Sequence, residues 1–299
     1  MEISLWPGGH NSWEQTLALA RHAEATGWYG VWYADHFMPN AADNTGPTSE
    51  CWTTLAALAA AVTRVRLGSL VTGNTYRNPA VLAKMAATVD QISGGRLVLG
   101  LGSGWQENEH EAYGIPFSTV GGRLRRLEEA CQVIKGLFDN EKTTFEGRYY
   151  YLKDAPLAPK PVQHPLPLLI GGGGEQMTMR IAARYANEWN VWGTPEFLRQ
   201  KMAVLDQRCA EIGRDPKEIK RSANALLVLS DDAALVERVR ASGRPVVGGN
   251  AEQVGATLRD FAAAGVDELI IPDFNLPRDV AQKTQILDRF MKDAVPLSR

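Results

Sequence analysis

The amino-acid sequence predicts a (β/α)8 barrel of the α/β class, and three observations carry that expectation. Strand-like apolar runs alternate with helix-period segments from one end to the other, the pattern of parallel strands joined by helical crossovers. The chain has 299 residues, which suits a barrel of about 250 residues with insertions. Its glycine-rich turns follow the fourth and fifth strand-like runs, whereas a doubly wound sheet, the competing architecture, places such a turn after the first.

The first strand is read over Glu2–Trp6. Ser12 is placed to cap a helix over 13–26, where Leu17, Ala20, Ala23 and Glu24 keep a 3.6 period and Gly27 stops it. A strand at 29–34, a polar loop, a helix over 50–62 and a strand at 65–71 follow. Pro79 opens the next helix at its first turn, and the fourth strand is 96–101. After a long helix over 123–138, the alternation across 143–152 around Glu146-Gly147 reads as a hairpin inserted into the barrel. The barrel then resumes with strands at 168–171, 188–191, 222–229 and 268–271. Helices fill the spaces between them at 175–185, after Pro195 and at 251–264, and a last helix follows Pro277. That makes eight strands, with no Ser- or Gly-rich linker to divide residues 1–299 into more than one domain.

Composition narrows the functional classes. With 44% hydrophobic and 22% charged residues, and no apolar run near the roughly 18 residues of a membrane span, a membrane role is not expected. The N-terminal residues Met1 to Trp6 lack a basic segment followed by an apolar stretch, so the expected location is the cytoplasm. Cys51, Cys131 and Cys209 are odd in number and widely spaced, which argues against a disulfide frame or a zinc site and for packing. A formal net charge of -2 with mixed signs offers no basic face to nucleic acid. No His-x-x-x-His or carboxylate cluster supplies a metal site, and no Gly-x-Ser-x-Gly elbow supplies a nucleophile.

Four segments just past strand ends could carry chemistry, because barrel enzymes build their sites at the C-terminal face. Trp32-Tyr33-Ala34-Asp35-His36-Phe37 puts an acid and an imidazole there; His36 is suited to proton transfer near neutral pH, or the pair simply caps a turn and lines the rim. Gly68, inside the strand that runs to Thr72-Gly73, marks either a close backbone approach by a ligand or a barrel-corner kink. Gly100, Gly102 and Gly104 alternate around Ser103, which bares one face for a planar ring or allows tight packing. Gly171-Gly172-Gly173-Gly174 leads into a helix start, and consecutive bare amides at that place make an anion site. Trp6, Trp32, Trp105, Trp189 and Trp192 fall on or just after strands, where aromatic rings suit a large conjugated ligand.

Taken in order, these segments resemble the luciferase-like monooxygenase superfamily, and within it the single-component oxidoreductases that use the deazaflavin coenzyme F-420 (F420). The resemblance runs through Gly30 to Phe37, Arg77-Asn78-Pro79-Ala80, Leu82-Ala83-Lys84, Ser93 to Trp105 with Glu109, Phe145-Glu146-Gly147, Ala155 to Gln163, Ile170 to Glu175 and Ala182 to Asn190. It implies ring and ribityl contacts from Asp35, His36, Thr72, Ser103, Gly104 and Asn108, and phosphate contacts from Gly171, Gly172, Gly173 and Gly174. It also implies a non-proline cis peptide joining Ser69 and Leu70 behind the central ring, and it places His36 near the reactive carbon. Similar enzymes that oxidise sugar phosphates carry a glutamate as proton donor where Trp105 stands, so this chain departs from them. Glu109, four residues on, faces the same pocket if a helix begins near Gln106, or else is a solvated helix-start carboxylate. The expected activity is hydride transfer between the coenzyme and a small-molecule substrate, with His36 and Glu109 as the candidate catalytic groups and a homodimer as the family's assembly. An FMN-dependent monooxygenase is the alternative enzyme, and a non-catalytic flavin-binding barrel is the alternative outside catalysis.

Overall fold

A computed structural model describes residues 1–298. β1 (Glu2–Trp6) leads through α1 (Trp13–Ala25) to β2 (Gly30–Tyr33), and α2 (Cys51–Ala61) leads to β3 (Arg66–Ser69) and its short continuation β4 (Thr72–Gly73). Next come α3 (Pro79–Ser93), β5 (Leu97–Gly102), the short α4 (Glu107–Ala112) and α5 (Val120–Asp139). β6 (Lys142–Glu146) and β7 (Tyr151–Pro156) pair antiparallel as a hairpin. Then β8 (Leu168–Gly171), α6 (Thr178–Tyr185), β9 (Glu188–Trp192), α7 (Pro195–Ala210) and β10 (Lys220–Asn224) follow. After β11 (Leu226–Leu229), α8 (Ala233–Arg240) and β12 (Val246–Gly249) come α9 (Ala251–Ala263), β13 (Glu268–Pro272) and α10 (Val280–Arg289), which runs on into a π-helical turn (Phe290–Ala294) and a 3-10 turn (Val295–Ser298).

Parallel pairing runs in the order β1, β2, β3, β5, β8, β9, β10, β13 and back to β1, so eight strands close a barrel. The helix signals are used as read: Ser12 and Gln15 form a capping box on α1, Asn78 caps α3 ahead of Pro79, and Gly94 ends α3 at φ +67. Side chains alternate along each strand. Trp6, Trp32, Val98, Leu169 and Ile270 turn into the barrel, while their neighbours Leu5, Val31, Leu97, Leu99, Leu168, Ile170, Leu269 and Ile271 pack outward among the helices.

The structure corrects several sequence expectations. The run at 222–229 is two strands: β10 belongs to the barrel, and β11 leaves it to pair in parallel with β12. The strand read over 65–71 breaks after Ser69, and the cis peptide joins Leu70 and Val71 rather than Ser69 and Leu70. Ser69 stays in register because its hydroxyl donates to the Gly100 carbonyl at 2.9 Å and accepts from the Gly100 amide at 3.0 Å, which moves the break one residue on. α6 begins at Thr178, three residues after the expected Glu175, because Glu175 to Met177 form a turn.

Charge gathers at the opposite, N-terminal end of the barrel. Glu268, fully buried, accepts from Ser4 (2.6 Å), Trp32 Nε1 (2.7 Å) and Lys220 (2.5 Å), with Arg66 at 3.6 Å. Burying this carboxylate is tolerable because Ser4, Trp32 and Lys220 donate to it; removing its charge would leave the partly exposed Lys220 without its carboxylate, while Arg66 keeps its closer partner Glu188 at 2.5 Å. Glu268→Gln is expected to cost about 3 kcal/mol in chemical denaturation, the lower end for breaking a buried pair. A loss below 1 kcal/mol would show that water reaches Lys220 well enough to replace the glutamate.

Candidate active site

The loop after β2 carries the acid and the imidazole. Asp35 is buried, and the Arg77 guanidinium donates to both of its oxygens, at 2.6 and 3.1 Å. Arg77 also pairs with Glu50, whose carboxylate caps α2 by accepting from the amides of Trp52 and Thr53. Burial pushes the Asp35 carboxyl up from its ordinary range, and the Arg77 fork opposes that shift. Asp35 is therefore fastened to the start of α2, and it fixes the loop on which His36 stands.

His36 Nδ1 lies 2.9 Å from Glu109 Oε1. Glu109 is fully buried on α4; it also accepts from the Phe37 amide at 2.8 Å and from the Tyr76 hydroxyl. Of the two readings open at the sequence level, the solvated helix-start carboxylate is the one the structure overturns. Burial alone would raise the Glu109 carboxyl, but hydrogen bonds from His36, the Phe37 amide and Tyr76 outweigh it and hold the group below its ordinary value. Burial and then the bond to Glu109 push the Tyr76 hydroxyl up, so Tyr76 stays a donor. A carboxylate on Nδ1 requires a proton there, which leaves Nε2 as the nitrogen free to exchange one in a neutral ring. The His36 side chain is 26% exposed, enough for a substrate to reach it.

The bulge between β3 and β4 forms the nearby wall. A Cβ on Gly100 would lie 2.0 Å from the Ser69 carbonyl oxygen, one on Gly102 2.7 Å from Val71, and one on Gly171 2.9 Å from Val71. The alternating glycines thus admit the bulge and Val71 rather than baring a platform, and Gly68 makes room for the Trp32 ring, 2.4 Å from its would-be Cβ. Leu70 packs in the inner barrel cluster with Val71 beside it, and Thr72 accepts from Trp52 Nε1 at 3.0 Å. Ser69 and Thr72 are therefore already bonded within the protein. Ser103 is half-buried, and Gly104 adopts φ +81. Asn108 Oδ1, Asn74 Oδ1 and Trp6 Nε1 are buried polar atoms without a protein partner.

The four-glycine turn follows β8. Gly172, at φ +121, is tied to β9 through its amide to Asn190 O (2.9 Å) and its carbonyl to Trp189 Nε1 (2.8 Å). Among the described residues, the amides of Gly173, Gly174, Glu175 and Gln176 donate to no protein acceptor, and no side chain caps α6. Lys201 on α7 adds a cation: its Cε lies 3.8 Å from the position of a Cβ on Gly173, and its ammonium is 2.7 Å from Glu175. Free amides ahead of a helix start are groups that could accept an anion, with Lys201 beside them and paired to Glu175. Sequence reasoning did not assign roles to Tyr76, Arg77 or Lys201; only the motif Arg77-Asn78-Pro79-Ala80 hinted at one of them.

Residues 1–264 match the model of the luciferase-like monooxygenase family. The chain belongs to that family. Among its relatives, the F420-dependent glucose-6-phosphate dehydrogenase of Kineococcus radiotolerans is 30% identical over 94% of this chain and 92% of that protein. The F420-dependent hydroxymycolic acid dehydrogenase of Mycobacterium tuberculosis is 31% identical over 74% of this chain and 61% of that protein. In three dimensions, an F420-dependent secondary alcohol dehydrogenase solved with an F420-acetone adduct matches with a TM-score of 0.87 at 22% identity, over 100% of this chain and 99% of that one. As a luciferase-like protein this chain shares the barrel, whose mouth its glycine turn, bulge and His36 surround. No cluster of metal-ligating side chains and no membrane-spanning helix occurs among the described residues.

Proposed function

We propose that this luciferase-like protein is an F420-dependent oxidoreductase that moves hydride between the coenzyme and a small organic substrate, with His36 handling the accompanying proton. The observation that carries the assignment of His36 is its Nδ1 contact with the fully buried Glu109, beside a bulge and a glycine turn with free amides that both border the barrel mouth. The names of the curated relatives support the coenzyme. When bound, the deazaflavin supplies a two-electron hydride carrier.

The chain's own residues do the rest. The amides of Gly173 and Gly174, with Lys201 beside them, would hold the coenzyme phosphate; the bulge at Leu70 and Val71 would back the ring; Asn108 and Asn74, whose side-chain oxygens have no protein partner, would meet its polar edge. In the oxidising direction, the substrate hydroxyl gives its proton to His36 Nε2 as the carbon loses hydride. Glu109 then stabilises the imidazolium through Nδ1, and Tyr76 and the Phe37 amide keep Glu109 ionised and in place. In the reducing direction the same Nε2 returns the proton to the new alkoxide. The homodimer expected of the family belongs to the same reading, as does the expected cytoplasmic location.

Fluorescence quenching with F420 and FMN side by side tests the coenzyme. F420 is expected to bind at micromolar Kd or better, roughly -8 kcal/mol or stronger, and FMN much more weakly. Equal or tighter binding of FMN would replace this reading with a flavin-dependent monooxygenase, and coenzyme binding without any turnover would leave a non-catalytic barrel.

A further inference from the structure

We infer that the substrate is a planar, largely apolar carbonyl compound or its matching alcohol, gripped between Trp105 and an aromatic wall built from Trp6, Trp192 and Phe274. The inference rests on the proposed hydride transfer and adds the class of molecule that receives it.

Trp105 stands on the turn after β5, and it is 60% exposed. Its base is rigid. Gly104 takes φ +81, the Arg123 guanidinium donates to the Gly104 carbonyl at 3.0 Å, and Gln106 Nε2 donates to Met38 O at 3.1 Å. His110 Nδ1 lies 2.7 Å from the Gln106 carbonyl. The indole meets the His36 ring edge-on, with centroids 5.5 Å apart and planes at 78°. The turn is therefore fixed, and the wide apolar ring it carries lies against the proton-transfer imidazole.

The opposite wall follows from the order of strands. β5 and β13 are four places apart in a ring of eight, so the segments that leave their C-terminal ends stand across the mouth from each other. Phe274, just after β13, packs on Trp6 at 4.9 Å and 71°, and Trp6 packs on Trp192 at 5.9 Å and 47°. Phe274 remains 39% exposed. The β11–α8–β12 unit closes the outer side: Arg244, just before β12, lies over Trp192 at 5.1 Å and over Phe274 at 5.6 Å.

Around His36 the charges are already used, and the charge on the far wall, Arg244, is stacked over the Trp192 and Phe274 rings rather than paired with a carboxylate. Asp35 is taken by Arg77, and Glu109 by His36, Phe37 and Tyr76. Trp6 Nε1, buried and unpartnered, offers one donor inside the aromatic wall. Flat rings on two sides, an imidazole at the edge and one spare donor suit an aryl ketone or a benzylic alcohol. A polyhydroxylated sugar would leave most of its hydroxyls facing carbon.

The test uses the full chain loaded with F420 and three substrates: 1-phenylethanol, 2-propanol and glucose 6-phosphate. 1-Phenylethanol is expected to have the highest kcat/KM, and Trp105→Ala to lower its ratio to 2-propanol on the order of tenfold or more, mostly through KM. Trp105→Phe should restore most of that ratio. Independently of turnover, titration calorimetry with acetophenone on the enzyme carrying oxidised F420 should show binding that Trp105→Ala weakens. A higher kcat/KM for glucose 6-phosphate or 2-propanol would overturn the substrate class and leave the coenzyme assignment standing, as would acetophenone binding unchanged in Trp105→Ala. Failure to bind F420 would instead overturn the reading on which this one rests.

Discussion

Replacing His36 with alanine is expected to lower kcat by about 10² to 10⁴ while the F420 Kd stays within a few-fold of native, the signature of a group that acts on a moving proton. The argument starts from the proton inventory at the mouth. Asp35 is saturated by Arg77, Glu109 is fully buried and triply bonded, and Tyr76 is committed as a donor to Glu109. His36 is the member of this group that combines an available nitrogen with partial exposure, and its other nitrogen is fixed by a carboxylate. Glu109 does not compete for the role near neutral pH. Its carboxyl is held below the ordinary value of 4.5, so it is charged there, and the stability its bonds contribute is complete above that value and lost only as pH falls through the lower folded one. Glu109 therefore adds no pH dependence to kcat between pH 5 and 8. Near-native turnover of His36→Ala across that range would mean that the proton travels through water or through Tyr113, whose hydroxyl donates to the Phe37 carbonyl at 3.3 Å, and the role given to His36 would fall.

The barrel strands were legible because most are buried on both faces, so they read as unbroken apolar runs such as Leu97 to Leu101 and Leu168 to Ile170. The split at Ala225 did leave a trace, since polar Ser222 and Asn224 precede it and the unbroken apolar run Leu226 to Leu229 follows, but reading 222–229 as one strand passed over that change of pattern. β12 escaped notice because half of Val246–Gly249 is glycine, and α8 because it is a short helix with one buried residue. Glycines were easier to locate than to interpret. Gly68, Gly100 and Gly102 do mark close approaches, but the approaching groups are Trp32, Ser69 and Val71 of the chain itself. The pair of His36 with Glu109 joins residues 73 apart, and Tyr76 sits in a loop with no local pattern, so their meeting depends on the docking of α4 against the β2 loop.

The four-glycine turn can be tested with little risk to the barrel, provided the position is chosen from the backbone. Gly172 has φ +121, where any side chain is strained, so a substitution there would confuse folding with binding. Gly173 avoids that problem. Its amide is free, its φ is not in the left-handed region, and a Cβ would meet only Val191 at 3.2 Å, Lys201 at 3.8 Å and Phe197 at 4.0 Å. Gly173→Asp should therefore fold, put a carboxylate within reach of the Lys201 ammonium and set a like charge beside the coenzyme phosphate. The expected loss of F420 affinity is about 100-fold, equivalent to roughly 2.8 kcal/mol at 1.4 kcal/mol per tenfold change. Gly173→Ala separates space from charge: the added methyl crowds Val191 by a few tenths of an ångström and should weaken binding only a few-fold. High salt should reduce the difference between the two variants, since part of the repulsion is screened. Equal Kd values for Gly173→Asp and the native enzyme, with both folded by circular dichroism, would place the phosphate elsewhere on the barrel and remove Lys201 from its site.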